Sequence, residues 1–220
     1  MRLVLLGPPG AGKGTQAYRL ADRFDAILIG TGDIFRENVK GDTPLGREAK
    51  AYMENGELVP DDVVVRMVLE RLEQPDATGS FILDGFPRTL RQAQALEKEL
   101  ADQDRPLSAA LKFVIHDEVA VKRLAGRRTC ASCKRTYNVE FKRPATENVC
   151  DRCGGDLIQR PDDREDTVRH RIEVYHRDTE PLEFFFWERG LLREVDAEGT
   201  EDEVTDRAVD AIADLAEERA

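Results

Sequence analysis

Long hydrophobic runs are missing from this chain of 220 residues; no apolar segment approaches the roughly 20 residues needed to cross a bilayer. A membrane-spanning role is therefore not expected. Met1-Arg2-Leu3 leads straight into the first apolar segment, which leaves no room for a signal peptide, and the expected location is cytoplasmic. Positive charge is also short. The 33 Lys and Arg against 44 Asp and Glu give a formal net charge of -11. That balance repels nucleic acid and anionic membranes at long range, so an anionic ligand has to be held by a local cluster. Lysine in particular is rare, with 8 residues against 25 arginines, and acidic residues crowd the stretch from Asp196 to Glu218. Adaptation to high salt and genome base composition each account for this bias, and the salt dependence of activity separates them. Internal repeats and low-complexity tracts are absent too. One main domain with room for small insertions is the expected organisation.

What the chain does carry is an alternation. Short apolar segments at 3–6, 27–29, 81–83, 111–115 and 192–195 are separated by helix-like stretches, the pattern of a parallel sheet wrapped by helices. Asp61-Asp62 before Val63, Val64, Met67 and Val68 read as an acidic helix start with an apolar face, and Val204, Ala208, Ile212 and Leu215 repeat that spacing. Both stripes are core. Two segments break the alternation. Residues 31–59 are charged and helix-like, interrupted at Gly41-Asp42-Thr43-Pro44 and at Gly56, whereas 126–163 hold all four cysteines and few helix signals. Each reads as an insertion that covers a ligand at the carboxyl ends of the strands.

The first apolar segment, Leu3 to Leu6, runs into Gly7-Pro8-Pro9-Gly10-Ala11-Gly12-Lys13-Gly14-Thr15. A glycine loop between a buried strand and a helix start is a phosphate cradle: backbone N–H groups close around the anion, the helix adds its positive end, and Lys13 reaches the terminal phosphates. The general pattern G-x4-G-K-[ST] is missed by one position, because Gly14 follows Lys13 and the hydroxyl arrives at Thr15.

Cys130, Cys133, Cys150 and Cys153 form two C-x2-C pairs sixteen residues apart, inside the spacing window of a structural zinc site, where four thiolates close a tetrahedron with no open position for catalysis. Two disulfides or four idle thiols are the alternatives, and a reducing cytoplasm disfavours the first. Thiolate tetrahedra also accept iron or cobalt. A zinc ribbon can instead touch RNA, and Lys134-Arg135-Thr136-Tyr137 with Phe141-Lys142-Arg143 has the basic and aromatic mix for it; the acidic chain as a whole argues against that reading.

Asp84 closes the segment Phe81-Ile82-Leu83 and precedes Gly85-Phe86-Pro87-Arg88. A carboxylate at a strand end beside the glycine loop is placed to hold Mg2+ through water, with a helix N-cap as the plainer alternative. Arg36, Arg88, Arg123, Arg127, Arg160 and Arg171 each stand next to an insertion or a strand end. Converging guanidinium groups of this kind neutralise two nucleotides brought face to face.

At this point the chain resembles the adenylate kinase family, in its long-lid, zinc-bearing form. The resemblance runs nearly end to end and is carried by G-P-P-G-A-G-K-G-T-Q (Gly7 to Gln16), T-G-D-I-F-R (Thr31 to Arg36), G-E-L-V-P (Gly56 to Pro60), D-G-F-P-R-T-L-R-Q (Asp84 to Gln92), G-R-R (Gly126 to Arg128) and R-P-D-D-R-E-D-T-V-R-H-R (Arg160 to Arg171). The Gly14 that spoils the generic pattern is the family's own form. The resemblance implies a P-loop NTPase-type five-stranded parallel sheet flanked by helices. Its core would be 1–29, 60–125 and 164–220, with a nucleoside-monophosphate insertion at 30–59 and a zinc-bearing lid at 126–163. It further implies that Gly10, Ala11, Gly12, Lys13, Gly14 and Thr15 cradle ATP, with Arg123 and Arg127 at the lid base, Thr136 and Tyr137 near the base, and the backbone at Gly199 beside the adenine. Thr31, Arg36, Glu57, Leu58, Val59, Gly85, Phe86, Pro87, Arg88 and Gln92 would hold AMP, Gln92 reading the adenine edge. Arg160 and Arg171 would reach both phosphate groups, with Asp162 and Asp163 as hinge-side carboxylates, and Lys13, Arg88, Arg123, Arg160 and Arg171 would carry catalysis.

The reaction so implied is Mg-dependent transfer from ATP to AMP, giving two ADP, in a monomer with no nucleic-acid or membrane partner. The acceptor phosphate is already an anion, so no general base is needed and His116, His170 and His176 are left to surface roles. Gly30 stands where the family commonly has Ser, which should loosen the turn yet keep Thr31 in place. A kinase for another nucleoside monophosphate or a GTP donor, a nucleotide-dependent switch, and a zinc-ribbon RNA binder are the rival readings.

Overall fold

The computed structural model describes residues 1–217, with side chains through 215. All five apolar segments are strands: β1 (Arg2–Leu6), β2 (Ile27–Gly30), β3 (Phe81–Asp84), β4 (Ala109–Val114) and, near the C-terminus, β8 (Leu192–Asp196). They form one parallel sheet in the order β2-β3-β1-β4-β8. A parallel sheet is buried on both faces, and the alternation along β1 shows how. Leu3 and Leu5 join a cluster with Ala17, Leu20, Val204, Ala208 and Ile212, whereas Val4 and Leu6 join Val68, Leu72, Leu96, Phe185 and Phe186 on the other side. The first face is thus covered by α1 (Lys13–Arg23) and α9 (Glu201–Asp210), followed by α10 (Ala213–Glu217). The second is covered by α4 (Asp61–Leu72), α5 (Leu90–Asp102) and α8 (Leu182–Glu188). Each fully buried leucine in these layers contributes about 2 kcal/mol of transfer free energy.

Register matters more for the site than composition does. Gly30 and Leu5 both stand opposite Asp84, in neighbouring strands. The chain therefore leaves β1, β2 and β3 at one level, and the glycine loop, Thr31 and Gly85-Arg88 emerge side by side. Beyond β2, α2 (Thr31–Lys40) and α3 (Pro44–Asn55) make the first insertion. Pro44 opens α3 behind a Thr43 cap whose hydroxyl accepts from the Gly46 N–H, and Gly56 ends it in the left-handed region. Phe35, Ala49 and Val59 tie this insertion into the main core.

The second insertion follows α6 (Asp117–Ala125) and is a three-stranded antiparallel sheet of β5 (Arg127–Cys130), β6 (Thr136–Asn138) and β7 (Leu157–Ile158). Its small cluster, Cys130, Tyr137, Cys150 and Leu157, is separate from the main core. α7 (Glu165–Val174) then returns the chain and passes through a π-helical turn at Tyr175–Thr179 before α8. No described helix is long and apolar enough to cross a membrane.

Candidate active site

The glycine loop leaves β1 pressed against its neighbours. At Gly10 (φ 91) a Cβ would stand 2.6 Å from the Ala120 carbonyl oxygen, so a side chain there meets both backbone strain and α6. Gly12 precedes α1 without a side-chain cap, which leaves first-turn N–H groups facing the hollow of the loop. Lys13 Nζ donates to the Gly7 and Pro8 carbonyls at 2.6 and 2.9 Å. Burial lowers its pKa to about 8, against the pull of Asp84. Asp84 itself is raised by burial, with Lys13 and Arg88 opposing. A Cβ at Gly14 would lie 3.4 Å from Asp84 Oδ2; a longer side chain would occupy the space between loop and carboxylate, which gives the shifted glycine a physical reason.

Next to this pair lies a cavity lined by Thr31, Arg36, Glu57, Leu58, Val59, Gly85, Arg88, Gln92 and Arg171, all expected from sequence, together with Gly32, Phe35, Met53, Gly56, Val64 and Asp162. Phe35, Met53 and Val64 are the apolar lining that sequence reading did not assign to the site. Phe35 and Met53 stand on α2 and α3 in a stretch that reads from sequence only as charged and helix-like, so no motif marks them. Thr31 is held as expected, its hydroxyl donating to the Gly85 carbonyl at 3.0 Å, and Gly30 before it is plainly extended (φ -100).

Around Arg88 the polar groups form one chain. Its backbone N–H donates to Gln92 Oε1 at 2.8 Å, Gln92 Nε2 donates to Asp61 Oδ1 at 2.7 Å, and the Thr89 hydroxyl donates to both Asp61 oxygens. These partners fix which end of the amide is which. One Gln92 N–H and one carbonyl lone pair remain, enough to pair with a base edge. Arg88 Nε donates to the Gly85 carbonyl at 2.9 Å, and the Thr179 hydroxyl from the π-helical turn donates to the Arg88 carbonyl at 2.9 Å. Burial and then the neighbouring Arg171 push Arg88 down to about 10, still charged at neutral pH.

The remaining arginines are aimed by carboxylates and backbone. Arg127 forms a two-pronged pair with the fully buried Asp163 at 2.8 and 2.6 Å, and Arg171 bonds the Asp162 carboxylate and carbonyl, each at 2.9 Å. Arg160 donates to the Thr129 hydroxyl at 3.1 Å; burial, with Arg127 and Arg36 nearby, lowers it to about 10. Arg123 donates to the Ala197 carbonyl at 3.0 Å, two residues before Gly199 in the loop that ends β8.

Two of the expected residues are deeply buried. Tyr137, expected beside the ATP base, is 2 % exposed inside the second insertion, where its hydroxyl lies 3.4 Å from Cys150 Sγ and accepts the Asp151 N–H at 2.9 Å. Its neighbour Thr136 is the exposed one. Phe86 is buried in the main core and is not among the residues lining the cavity. The Phe86–Pro87 peptide is cis.

The four cysteines are free thiols whose sulfur atoms all lie within 4.8 Å of one another. Ligands 2.3 Å from a tetrahedral zinc are about 3.8 Å apart, and Cys130–Cys153 and Cys133–Cys150 stand at 3.5 Å. The donor set fits the ion. Tyr137 donating to Cys150 lowers the pKa of that thiol, whereas at Cys153 the backbone bond from Gly155 is outweighed by the neighbouring Cys133 and Cys130, which raise it.

A glycine loop between β1 and α1, an acidic strand end beside it and an arginine-lined cavity under two insertions define a P-loop, nucleotide-binding α/β phosphotransferase. Comparison with known proteins narrows the class. The sequence model described as Adenylate kinase matches residues 5–191, and the chain belongs to that family. It is 53 % identical over 212 residues to an adenylate kinase of Acidothermus cellulolyticus, covering 96 % of this chain and 98 % of the relative. To those of Streptomyces coelicolor and Archaeoglobus fulgidus it is 50 % identical, over 96 % and 92 % of this chain and 98 % and 92 % of the relatives.

Proposed function

We propose that the protein transfers the terminal phosphoryl group of ATP to AMP, producing two ADP, as a cytoplasmic monomer. The observation that carries this reading is the level register of β1, β2 and β3, which sets the Lys13 loop and the Arg88 cavity against each other across Asp84. The names of the relatives support the same nucleotides. Four free thiols suit a reducing compartment.

In this reading the loop from Gly10 to Thr15 holds the donor phosphates. Arg123 and Arg127 steady the donor from the lid base, with Thr136 and the backbone at Gly199 near its base. Thr31, Arg36, the 57–59 wall, the Gly85–Pro87 backbone and Gln92 hold the acceptor, while Lys13, Arg88, Arg160 and Arg171 spread positive charge around the group in flight. The acceptor phosphate is an anion and needs no base, so rate enhancement rests on positioning and charge neutralisation. Asp84, buried at the strand end beside the loop, would hold Mg2+, which would supply further neutralisation of the donor phosphates. Cys130, Cys133, Cys150 and Cys153 would hold zinc, which would supply rigidity to the lid. Closure of the two insertions excludes water that would otherwise take the phosphoryl group.

A coupled assay across a panel of donors and acceptors tests the reading. Rapid ADP formation with ATP and AMP together, and slow turnover with either alone, is expected. A different preferred acceptor, or ATP hydrolysis indifferent to AMP, would overturn it.

A further inference from the structure

The chain returning from the first insertion meets α7 on one face. A Cβ at Gly56 would stand 2.7 Å from Arg171 Cγ and 3.2 Å from Thr167 Cγ2, so the backbone touches α7 there. One residue on, Glu57 Oε1 lies 2.6 Å from His170 Nε2. Thr167, His170 and Arg171 share a helix face by their i, i+3, i+4 spacing. Arg171 points from that face into the cavity; His170 does not line it. It grips the element that does, because Glu57, Leu58 and Val59 form one wall.

We propose that His170 is a positioning residue for the acceptor nucleotide, clamping Glu57 so that the 57–59 wall stays against α7, more firmly when the imidazole is charged. The inference rests on the function proposed above. A charged donor makes a stronger bond to carboxylate than a neutral one, and both side chains are about 40 % exposed, so the ring exchanges protons with solvent. The groups facing it are few. Glu57 approaches from the insertion, Glu173 from its own helix at 3.5 Å, and Arg177 from the π-helical turn shares Glu57 at 3.8 Å while it is paired with Asp178. The bond from Glu57 is the first cause that raises His170 above its ordinary value, so the clamp is complete below about pH 6.5 and is lost as pH climbs through the raised value.

The test compares wild type, H170Q and H170K for KM of AMP and kcat between pH 6 and 9, with a thermal melt of each. In the wild type, KM is expected to rise about two- to fivefold with pH relative to H170K, as fits a half-exposed ion pair, while kcat moves less. H170Q, a donor without charge, should stay near the higher KM throughout; H170K, charged throughout, should stay near the lower. The phosphate of AMP titrates alike in all three, so the differences between proteins carry the result. One shared pH profile, or a loss confined to kcat, would overturn the clamp. Calorimetric AMP binding reads the same shift without turnover. If wild type neither binds nor phosphorylates AMP, the proposed function fails and takes the clamp with it; if wild type is active and the three profiles coincide, only the clamp fails.

Discussion

Arg88 stands where the cavity meets the end of β3, held by the Gly85 carbonyl through Nε and by Thr179 and Gln92 through its own backbone. Those backbone contacts survive truncation of the side chain. Arg88→Ala should therefore keep its fold while turnover drops by roughly two to three orders of magnitude, the cost of losing one fixed donor to transition-state charge. Arg160→Ala should behave likewise. Circular dichroism and steady-state rates check both, and near-normal kcat would remove the assigned role. Lys13 offers a second prediction. At a pKa of about 8 the buried ammonium is partly deprotonated at pH 8.5, whereas a bound polyphosphate favours the charged form. ATP binding at that pH should take up a fraction of a proton, seen as a binding heat that depends on buffer ionisation enthalpy; no dependence would refute it. Residue type was enough to find both groups from sequence. It does not tell how deeply Tyr137 and Phe86 are packed, because a motif names residues without the packing of each side chain.

The lid shows what an element can and cannot do alone. Its buried cluster is only Cys130, Tyr137, Cys150 and Leu157, with Cys133 against it, too little apolar surface to hold some forty residues without a metal. Removing the metal with a chelator, or Cys133→Ser, should lower Tm by about 5–10 °C, on the scale of 2–4 °C per kcal/mol for a chain of this size, and leave the far-UV signal of the core intact. An unchanged melt would mean the tetrad is not structural. The cysteine spacing makes this element legible in the sequence, as the acidic start and apolar stripe do for α4. The π-helical turn at Tyr175–Thr179 was not legible. Its sequence continues a helical pattern, and the extra residue in the turn shows itself only through where Thr179 arrives, at the carbonyl of Arg88.

At the scale of the molecule, the five strands were readable because each is a short apolar run buried on both faces, but their order was not, since β1 to β2 and β3 to β4 each pass over an intervening strand. Register was not readable, although it decides that Gly30, Leu5 and Asp84 lie level; it comes from packing across three strands at once. Charge is the property that only the whole chain possesses. With a net charge of -11, the surface repels itself, and the first turn of α9 alone carries Glu201, Asp202 and Glu203. Some of these are paired, Asp202 with Arg19 and Glu201 with Lys142 of the lid. Added salt weakens such exposed pairs, each worth about 0.2–1 kcal/mol, but it also screens the uncompensated excess, with the Debye length falling from about 8 Å at 0.15 M to about 3 Å at 1 M. The pairs use each acid once, whereas the excess acts on every acid together, so screening should win. Tm is expected to rise from low to molar KCl, with activity retained at the high end. Melting curves and initial rates across that series check it, and a stability maximum at low salt would mean that the acidic bias has another origin.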